Sequence, residues 1–198
     1  VGSYDRRALA REVAVLPQIV EVPFGYRAAD VVAMGRFPRL GRFGVMKSAD
    51  LKAVEKAMEA TDTSALADRN LREISGGERQ RVLFAQCMAQ EPELFLLDEP
   101  VSHLDIRHQV ELLDILKELN KNGVTVLIVM HDLNLASEYC KTLMLLKDGT
   151  VRISGTAEEV LDYKIIEEVY RTVVITRINP ISGKPYVFPV PGARIEKN

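Results

Sequence analysis

Asp98 and Glu99 stand side by side immediately after four consecutive apolar residues, Leu94 to Leu97. Such a run predicts a strand buried on both faces, and ligand sites of open parallel sheets lie at the carboxyl ends of their strands. One carboxylate at that place suits Mg²⁺, and the next suits a general base that acts on water. The alternative is a buried strand followed by an acidic turn that has no chemical role.

A second candidate lies about twenty residues upstream, where Ser75, Gly76 and Gly77 precede an apolar helical pattern. Glycines allow a ligand to approach the backbone closely, and a helix N-terminus presents N–H groups that have no intrahelical acceptor. Together these features suit an anion such as a phosphate. Ser75 followed three positions later by Glu78 is also a capping box, and the two interpretations are compatible.

A third candidate is His131, which follows a second apolar run, Val124 to Met130. A histidine at the end of a buried strand is able to donate a hydrogen bond to a phosphate. A purely structural histidine is the alternative.

The order of these motifs resembles that of the nucleotide-binding subunit of an ABC transporter. Five segments carry the resemblance along nearly the whole chain: Leu16–Gln18 as the Q-loop, Ser75–Glu78 as the signature, Leu94–Glu99 as Walker B with the catalytic glutamate, Ser102–Asp105 as the D-loop, and His131 as the switch histidine. One departure is Glu78, where the signature most often has glutamine; Gln80 follows two residues later.

The resemblance implies an α/β fold of the P-loop NTPase type, an ABC ATPase core with a parallel sheet and an inserted helical subdomain. The expected division is a helical subdomain over about 24–90 with the signature at its end, half of the catalytic core over about 91–171, and a C-terminal β extension over 172–198. No Gly-x-x-x-x-Gly-Lys-Ser/Thr loop occurs in the sequence; the nearest match, Gly41 to Ser48, lacks the second glycine.

We therefore interpret the sequence, which begins with Val1, as an N-terminally truncated piece that lacks the phosphate loop and the first strands. The piece is expected to be inactive alone, since the loop supplies the backbone nest, the lysine and a metal ligand. The two apolar strands are expected to have an uncovered flank through which the chain self-associates.

The chemistry that the resemblance implies is hydrolysis of ATP with Mg²⁺ at the interface of a head-to-tail dimer of ATPase subunits. In the implied chemistry, Asp98 together with Gln18 binds Mg²⁺, Glu99 is the general base, and His131 contacts the γ-phosphate. The signature residues contact the nucleotide of the other subunit; they are Ser75, Gly76, Gly77 and Glu78. Asp105 is implied to communicate across the dimer. Gln18 is also implied to couple the site to a membrane partner. A structural alternative for Asp105 is an acid at a helix N-terminus.

The segment Val31 to Gly41 resembles the Gly-Arg-x-Pro segment of importers for ferric siderophores, haem and cobalamin, and the tail Pro180 to Tyr186 fits the same group. Gly35 and Pro38 alternatively mark a turn between helices. The implied partners are transmembrane permease subunits and, indirectly, a substrate-binding protein. The permease is expected to dock on the segment Gln18 to Gly41, which contains Phe24, Tyr26, Phe37 and Pro38. The alternative is that these aromatic residues belong to the core.

Two other functions stay open at this point: a non-transport ABC ATPase acting on DNA or ribosomes, and a catalytically dead structural fragment. Against the first, Gln18 and Ser75 are 57 positions apart with no heptad run between them, whereas chromosome-maintenance ATPases have a long coiled coil there. The net charge of −2 does not indicate bulk binding of nucleic acid.

Composition agrees with one cytoplasmic domain, peripheral on the inner face of the membrane through its permease. Hydrophobic residues make up 47% of the 198 residues, and no apolar stretch reaches transmembrane length. Cys87 and Cys140 form no C-x-x-C pair and are expected to be reduced thiols.

The coarse pattern predicts further elements. Strands or hairpins are expected over Ala10–Leu16, on both sides of Asp148-Gly149, and on both sides of Asn179–Gly183; helices are expected over Asp50–Thr61, Asp105–Asn122, Ala157–Leu161 and Lys164–Tyr170.

Overall fold

The computed structural model describes residues 5–18, 25–41 and 44–193. Phe24, one of the aromatic residues of the predicted docking segment, lies outside these ranges. The chain divides into two compact units, Val1–Val129 and Met130–Asn198. The sequence prediction instead divides the chain by the family's motifs, into a helical subdomain, half of the catalytic core and a β extension. The boundaries of these three segments stay a prediction.

The first unit contains five helices and a three-stranded parallel sheet in its described residues. The helices are α1 (Arg6–Glu12), α2 (Ala28–Met34), α3 (Ser48–Ala60), α4 (Gly76–Ala89) and α5 (Ile106–Lys121), and the strands are β1 (Val13–Leu16), β2 (Leu94–Asp98) and β3 (Thr125–Val129). The strand order is β1-β2-β3, so that Leu16 pairs with Leu97 and Asp98 with Val129. Short 3-10 turns follow α2 and α3, at Phe37–Arg39 and Ser64–Leu66.

The predicted strand over Ala10–Leu16 is wrong in its first half, because the chain is helical up to Glu12. Asp5 caps α1 by accepting a hydrogen bond from the backbone N–H of Arg7, and the residues that follow are strong helix formers. Only the four residues that pair with β2 are extended.

One face of the sheet is buried against helix α4. Ala14, Leu16, Phe95 and Leu97 share this face and are almost inaccessible to solvent. The rings of Phe84 on α4 and Phe95 on β2 lie 6.2 Å apart, and burial raises the pKa of the neighbouring Cys87 thiol to about 12. The core of the first unit is therefore built where α4 crosses this face.

The opposite face of the sheet is partly exposed, so the expectation of strands buried on both faces is wrong for these residues. Val15, Leu127 and Val129 are 58%, 62% and 50% exposed, and Leu96, which pairs with both Val15 and Leu127, is half-buried. This exposed row, Val15, Leu127 and Val129, agrees with the predicted uncovered flank for β3, whereas in β2 no residue of Leu94–Leu97 is fully exposed.

A buried arginine joins three helices of the first unit. Arg36, just after α2, donates to the carboxylate of Asp50 on α3 at 3.0 Å and to that of Glu91 at 2.7 Å, and also to the carbonyl oxygen of Ala89 at the end of α4. Gly35 is required beside it, since a Cβ there would lie 2.2 Å from the carbonyl oxygen of Gln86. The segment Gly35–Pro38 therefore has a structural role, in agreement with the alternative of a turn between helices.

The second unit contains three helices and two hairpins in its described residues. The helices are α6 (Leu133–Tyr139), α7 (Ala157–Val160) and α8 (Tyr163–Tyr170), and the antiparallel pairs are β4 (Leu143–Lys147) with β5 (Thr150–Gly155) and β6 (Val174–Ile178) with β7 (Pro185–Pro189). Both hairpins confirm the sequence prediction. Their inner faces and the helices form one apolar core around Val160, Leu161 and Ile166.

None of the helices within the described ranges is long and apolar enough to cross a membrane.

An exposed ion network ties α8 to the first hairpin of the second unit. Glu168 accepts two hydrogen bonds from the Arg152 guanidinium, at 2.9 and 2.8 Å, and one from Lys147 at 3.3 Å. Arg152, and then Lys147, lower the pKa of Glu168 to about 2.

We expect Glu168→Gln to lower the melting temperature of the chain at pH 7. Because the folded-state pKa of Glu168 lies below the ordinary value of 4.5, its carboxylate stabilises the fold above about pH 4.5 and loses that effect as the pH falls through about 2. The difference from the parental chain should therefore shrink between these two pH values in thermal melts. Glu55→Gln is the control, because Glu55 is exposed and pairs with no cation in the described part of the chain; a difference that persists at pH 2 would contradict the assignment.

We also expect the isolated chain to self-associate through the exposed row. Replacing Leu127 and Val129 together by threonine keeps the preference for a strand and removes apolar surface, so the apparent mass in light scattering should fall towards that of a monomer. Ile181→Thr is the matched control, because Ile181 is 95% exposed but lies in the turn between β6 and β7. A parental chain that is strictly monomeric would contradict this expectation.

Candidate functional site

The carboxyl edge of the parallel sheet brings Gln18 and Glu99 together. Gln18 lies two residues beyond β1 and Glu99 immediately after β2, and the Gln18 side-chain amide donates to the Glu99 carboxylate at 3.0 Å. The two residues are 81 positions apart in sequence, so the parallel register alone explains the contact. Asp98, the last residue of β2, and Glu99 are both half-buried.

The backbone of Glu99 adopts a left-handed conformation, with φ +48°. This region is costly for a residue with a side chain, and the proline that follows favours extended backbone before it. The conformation is held from both sides: the Glu99 N–H donates to the carbonyl oxygen of Val129, and its carbonyl oxygen accepts from the N–H and hydroxyl of Ser102. Such strain is typical of functional sites whose surroundings fix the geometry.

The signature residues form the N-terminus of α4, as predicted. The Ser75 hydroxyl accepts from the N–H of Glu78 at 3.2 Å, and the Glu78 carboxylate accepts from the N–H of Ser75 at 2.7 Å, which lowers the pKa of Glu78. The capping box is thus present. The capping box uses the backbone N–H of Glu78, and the backbone N–H of Arg79 donates to the carbonyl oxygen of Ser75. The N–H groups of Gly76 and Gly77 therefore lie at the open end of the helix.

The two glycines differ in their surroundings. A Cβ on Gly76 would meet no atom within 4 Å, whereas a Cβ on Gly77 would lie 3.1 Å from the carbonyl oxygen of His103. Gly77 therefore allows the start of α4 to approach the predicted D-loop of the same chain, a packing reason that is independent of any ligand.

Asp105 caps α5, which is the structural alternative stated for it. Its carboxylate accepts from the His108 backbone N–H at 3.0 Å and lies 2.9 Å from Nδ1 of the same residue, and these bonds lower its pKa. The residue is nevertheless exposed, so one role does not exclude the other.

His131 belongs to the second unit, where it is exposed and precedes Asp132, the N-cap of α6. Gln18, Glu99 and Asp98, together with the signature and Asp105, belong to the first unit. The roles assigned to these residues stay predictions.

The sequence alone indicates for Gln80 only a place in a variant of the signature. In the structure Gln80 is 6% exposed and its side-chain amide donates to the carbonyl oxygen of Pro100 at 3.1 Å, so it contacts the residue that follows Glu99. The signal in the sequence was weak, because a polar residue inside an apolar helical pattern is equally compatible with solvent exposure.

Comparisons with known proteins agree with this geometry. The family profile described as ABC transporter matches residues 2–102. The iron(3+)-hydroxamate import ATP-binding protein FhuC of Bacillus subtilis is 40% identical over 186 residues, 93% of this chain and 69% of the relative. The ferric enterobactin transport ATP-binding protein FepC of Escherichia coli is 38% identical over 191 residues, 96% of this chain and 70% of the relative.

Solved structures match as well. An ABC transporter in an inward-facing conformation is similar with a TM-score of 0.79 and 26% identity over 90% of this chain and 73% of that one. A dimeric ATP-binding cassette with ADP and Pi bound is similar with a TM-score of 0.67 and 26% identity over 78% of this chain and 68% of that one. The chain thus belongs to the ABC transporter family of ATP-binding subunits, which are ATPases.

Proposed function

We propose that the parent of this chain hydrolyses ATP to drive an importer for iron complexes, haem or cobalamin. The observation that carries the proposal is the 3.0 Å contact between Gln18 and Glu99 at the carboxyl edge of the sheet, since it joins two residues to which the sequence assigns roles in one reaction. Relatives named for import of iron(3+)-hydroxamate, ferric enterobactin and cobalamin support the cargo class; haem rests on the sequence resemblance.

The substrate is ATP with Mg²⁺. An oxygen-rich position suits Mg²⁺, and Asp98 supplies a half-buried carboxylate at the strand end. The Gln18 amide group, whose nitrogen faces Glu99, directs its own oxygen elsewhere and has the chemistry to contact the metal or its water. The residues present therefore fit the ion.

Glu99 acts as the general base. Water attacks the γ-phosphorus, its proton passes to the Glu99 carboxylate, and the bond to the bridging oxygen of ADP breaks. The fixed turn keeps the carboxylate in place, and the Gln18 amide orients it. His131 contacts the γ-phosphate and stabilises the developing charge.

The second site component comes from another copy of the subunit. In a head-to-tail dimer, the Gly76 and Gly77 N–H groups and the Ser75 hydroxyl approach the nucleotide of the partner, with Glu78 fixing the helix end. Asp105 links the two sites. A dimeric cassette among the similar solved structures supports this arrangement.

The membrane partner is a permease, and binding to it places the ATPase subunit at the cytoplasmic face of the membrane. The ATPase subunit is connected to a substrate-binding protein only through this permease. Phe37, 58% exposed on the turn after α2, and Tyr26, 37% exposed, support docking on the segment Gln18 to Gly41. The import relatives favour this function over one on DNA or ribosomes, and no nucleic acid partner is proposed.

In the full-length parent, Glu99→Gln should lower kcat by about 10²-fold or more while ATP binding changes little, because the amide is no base but leaves the phosphate contacts in place. Steady-state hydrolysis and nucleotide titration measure the two quantities. Glu93→Gln, at an exposed position before β2, is the control.

The 198-residue chain itself is expected to hydrolyse no ATP above background. Activity of this chain that Glu99→Gln abolishes would overturn that expectation, and parental turnover in the full-length Glu99→Gln variant would overturn the assignment of the base.

Single cysteines at Tyr26 and Phe37 of the parent should crosslink to the permease in the assembled transporter, because both side chains are accessible. A cysteine at Lys121, at the exposed end of α5, serves as the matched position and should not crosslink. Equal yields at all three positions, or none at any, would count against docking on this segment.

A further inference from the structure

The turn after β2 is held through each of its first three carbonyl oxygens. The Glu99 oxygen accepts from Ser102, the Pro100 oxygen from the side-chain amide of Gln80, and the Val101 oxygen from the amide of Gln109 and the N–H of Leu104. Two of these donors are side chains of helices, so the conformation of the turn depends on where α4 and α5 lie.

Gln80 makes the most buried of these contacts. Both it and Pro100 are buried, and a buried carbonyl oxygen that loses its donor destabilises the arrangement that leaves it unpaired. The carbonyl group that it holds belongs to Pro100, the residue directly after Glu99. Because the left-handed backbone of Glu99 precedes a proline, it depends on support from neighbouring contacts. Gln80 is placed to give that support.

The same helix begins with the signature. Gly77 lies against the carbonyl oxygen of His103, and Gln80, almost one helical turn later, bonds to Pro100. The start of α4 thus contacts both ends of the stretch Pro100–His103, so a displacement of the helix end is transmitted to Pro100, the residue after Glu99.

We propose that Gln80 is a positioning residue. Through its hydrogen bond to Pro100, a movement of the signature end of α4 also moves the Glu99 carboxylate of the same chain. The inference rests on the proposed function: when the signature end of α4 engages the nucleotide of the partner subunit, Gln80 aligns the Glu99 that serves its own subunit. Loss of the bond should then reduce turnover without reducing nucleotide binding.

The test uses Gln80→Met in the full-length parent, because methionine has nearly the length of glutamine and no amide donor. We expect kcat to fall about 10-fold or more with KM for ATP changed by less than about 2-fold, since a small misplacement of a catalytic group is costly. Gln80→Glu keeps the shape of the side chain and replaces the amide donor by a carboxylate acceptor. It should lower kcat in the same way.

Gln90→Met is the matched control. Gln90 caps the other end of α4, and its amide also donates to backbone oxygens of distant residues, Ala10 at 2.6 Å and Val13 at 2.7 Å. It should lower the melting temperature as Gln80→Met does but leave kcat unchanged. Equal loss of kcat in both variants, parental kcat in the Gln80 variants, or failure of both Gln80 variants to fold would overturn the positioning role.

Hydrogen exchange on the 198-residue chain separates this inference from the proposed function. The N–H groups of Ser102 and Leu104 close the turn by donating to Glu99 and Val101, and they should exchange faster in Gln80→Met than in Gln90→Met or the parental chain. A parent without ATPase activity would overturn the proposed function, whereas unchanged exchange would overturn the role of Gln80 alone.

Discussion

The parallel register of β1, β2 and β3 is the constraint on which the first unit depends. Because the strands run in the same direction, their carboxyl ends meet at one edge, and residues far apart in sequence meet there. A shift of β1 by one residue would turn Ala14 and Leu16 away from α4 and expose the apolar face that Phe84 covers. Burial of that face therefore fixes the register, and the register fixes the contact between Gln18 and Glu99.

Local signals in the sequence predict the elements where backbone chemistry decides the conformation. Ser75 and Glu78 form the expected capping box, and Asp148 and Gly149 both adopt positive φ, as a tight hairpin turn requires. The order of the motifs also predicted the family. These features depend on residues within four positions of each other or on a recognisable pattern.

What the sequence did not predict depends on tertiary contacts. The bond between Gln80 and Pro100 and the ion pair between Arg36 and Glu91 join residues 20 and 55 positions apart, and no local pattern distinguishes them from exposed polar side chains. The exposed face of β3 is a second example: an apolar run indicates that a strand is suited to burial, but it does not determine whether another segment covers that face. Ala10–Glu12 are helical although the apolar pattern predicts a strand, because only Val13–Leu16 have pairing partners on β2.

Cys87 has a consequence for chemical labelling. Its thiol is enclosed between α4 and β1, where the sulfur lies 3.7 Å from the carbonyl oxygen of Val15, and with a pKa of about 12 almost none of it is thiolate at neutral pH. An alkylating reagent should modify it only when α4 separates from the sheet. The rate of modification of Cys87, followed separately from that of the less buried Cys140, therefore reports how often the core of the first unit opens.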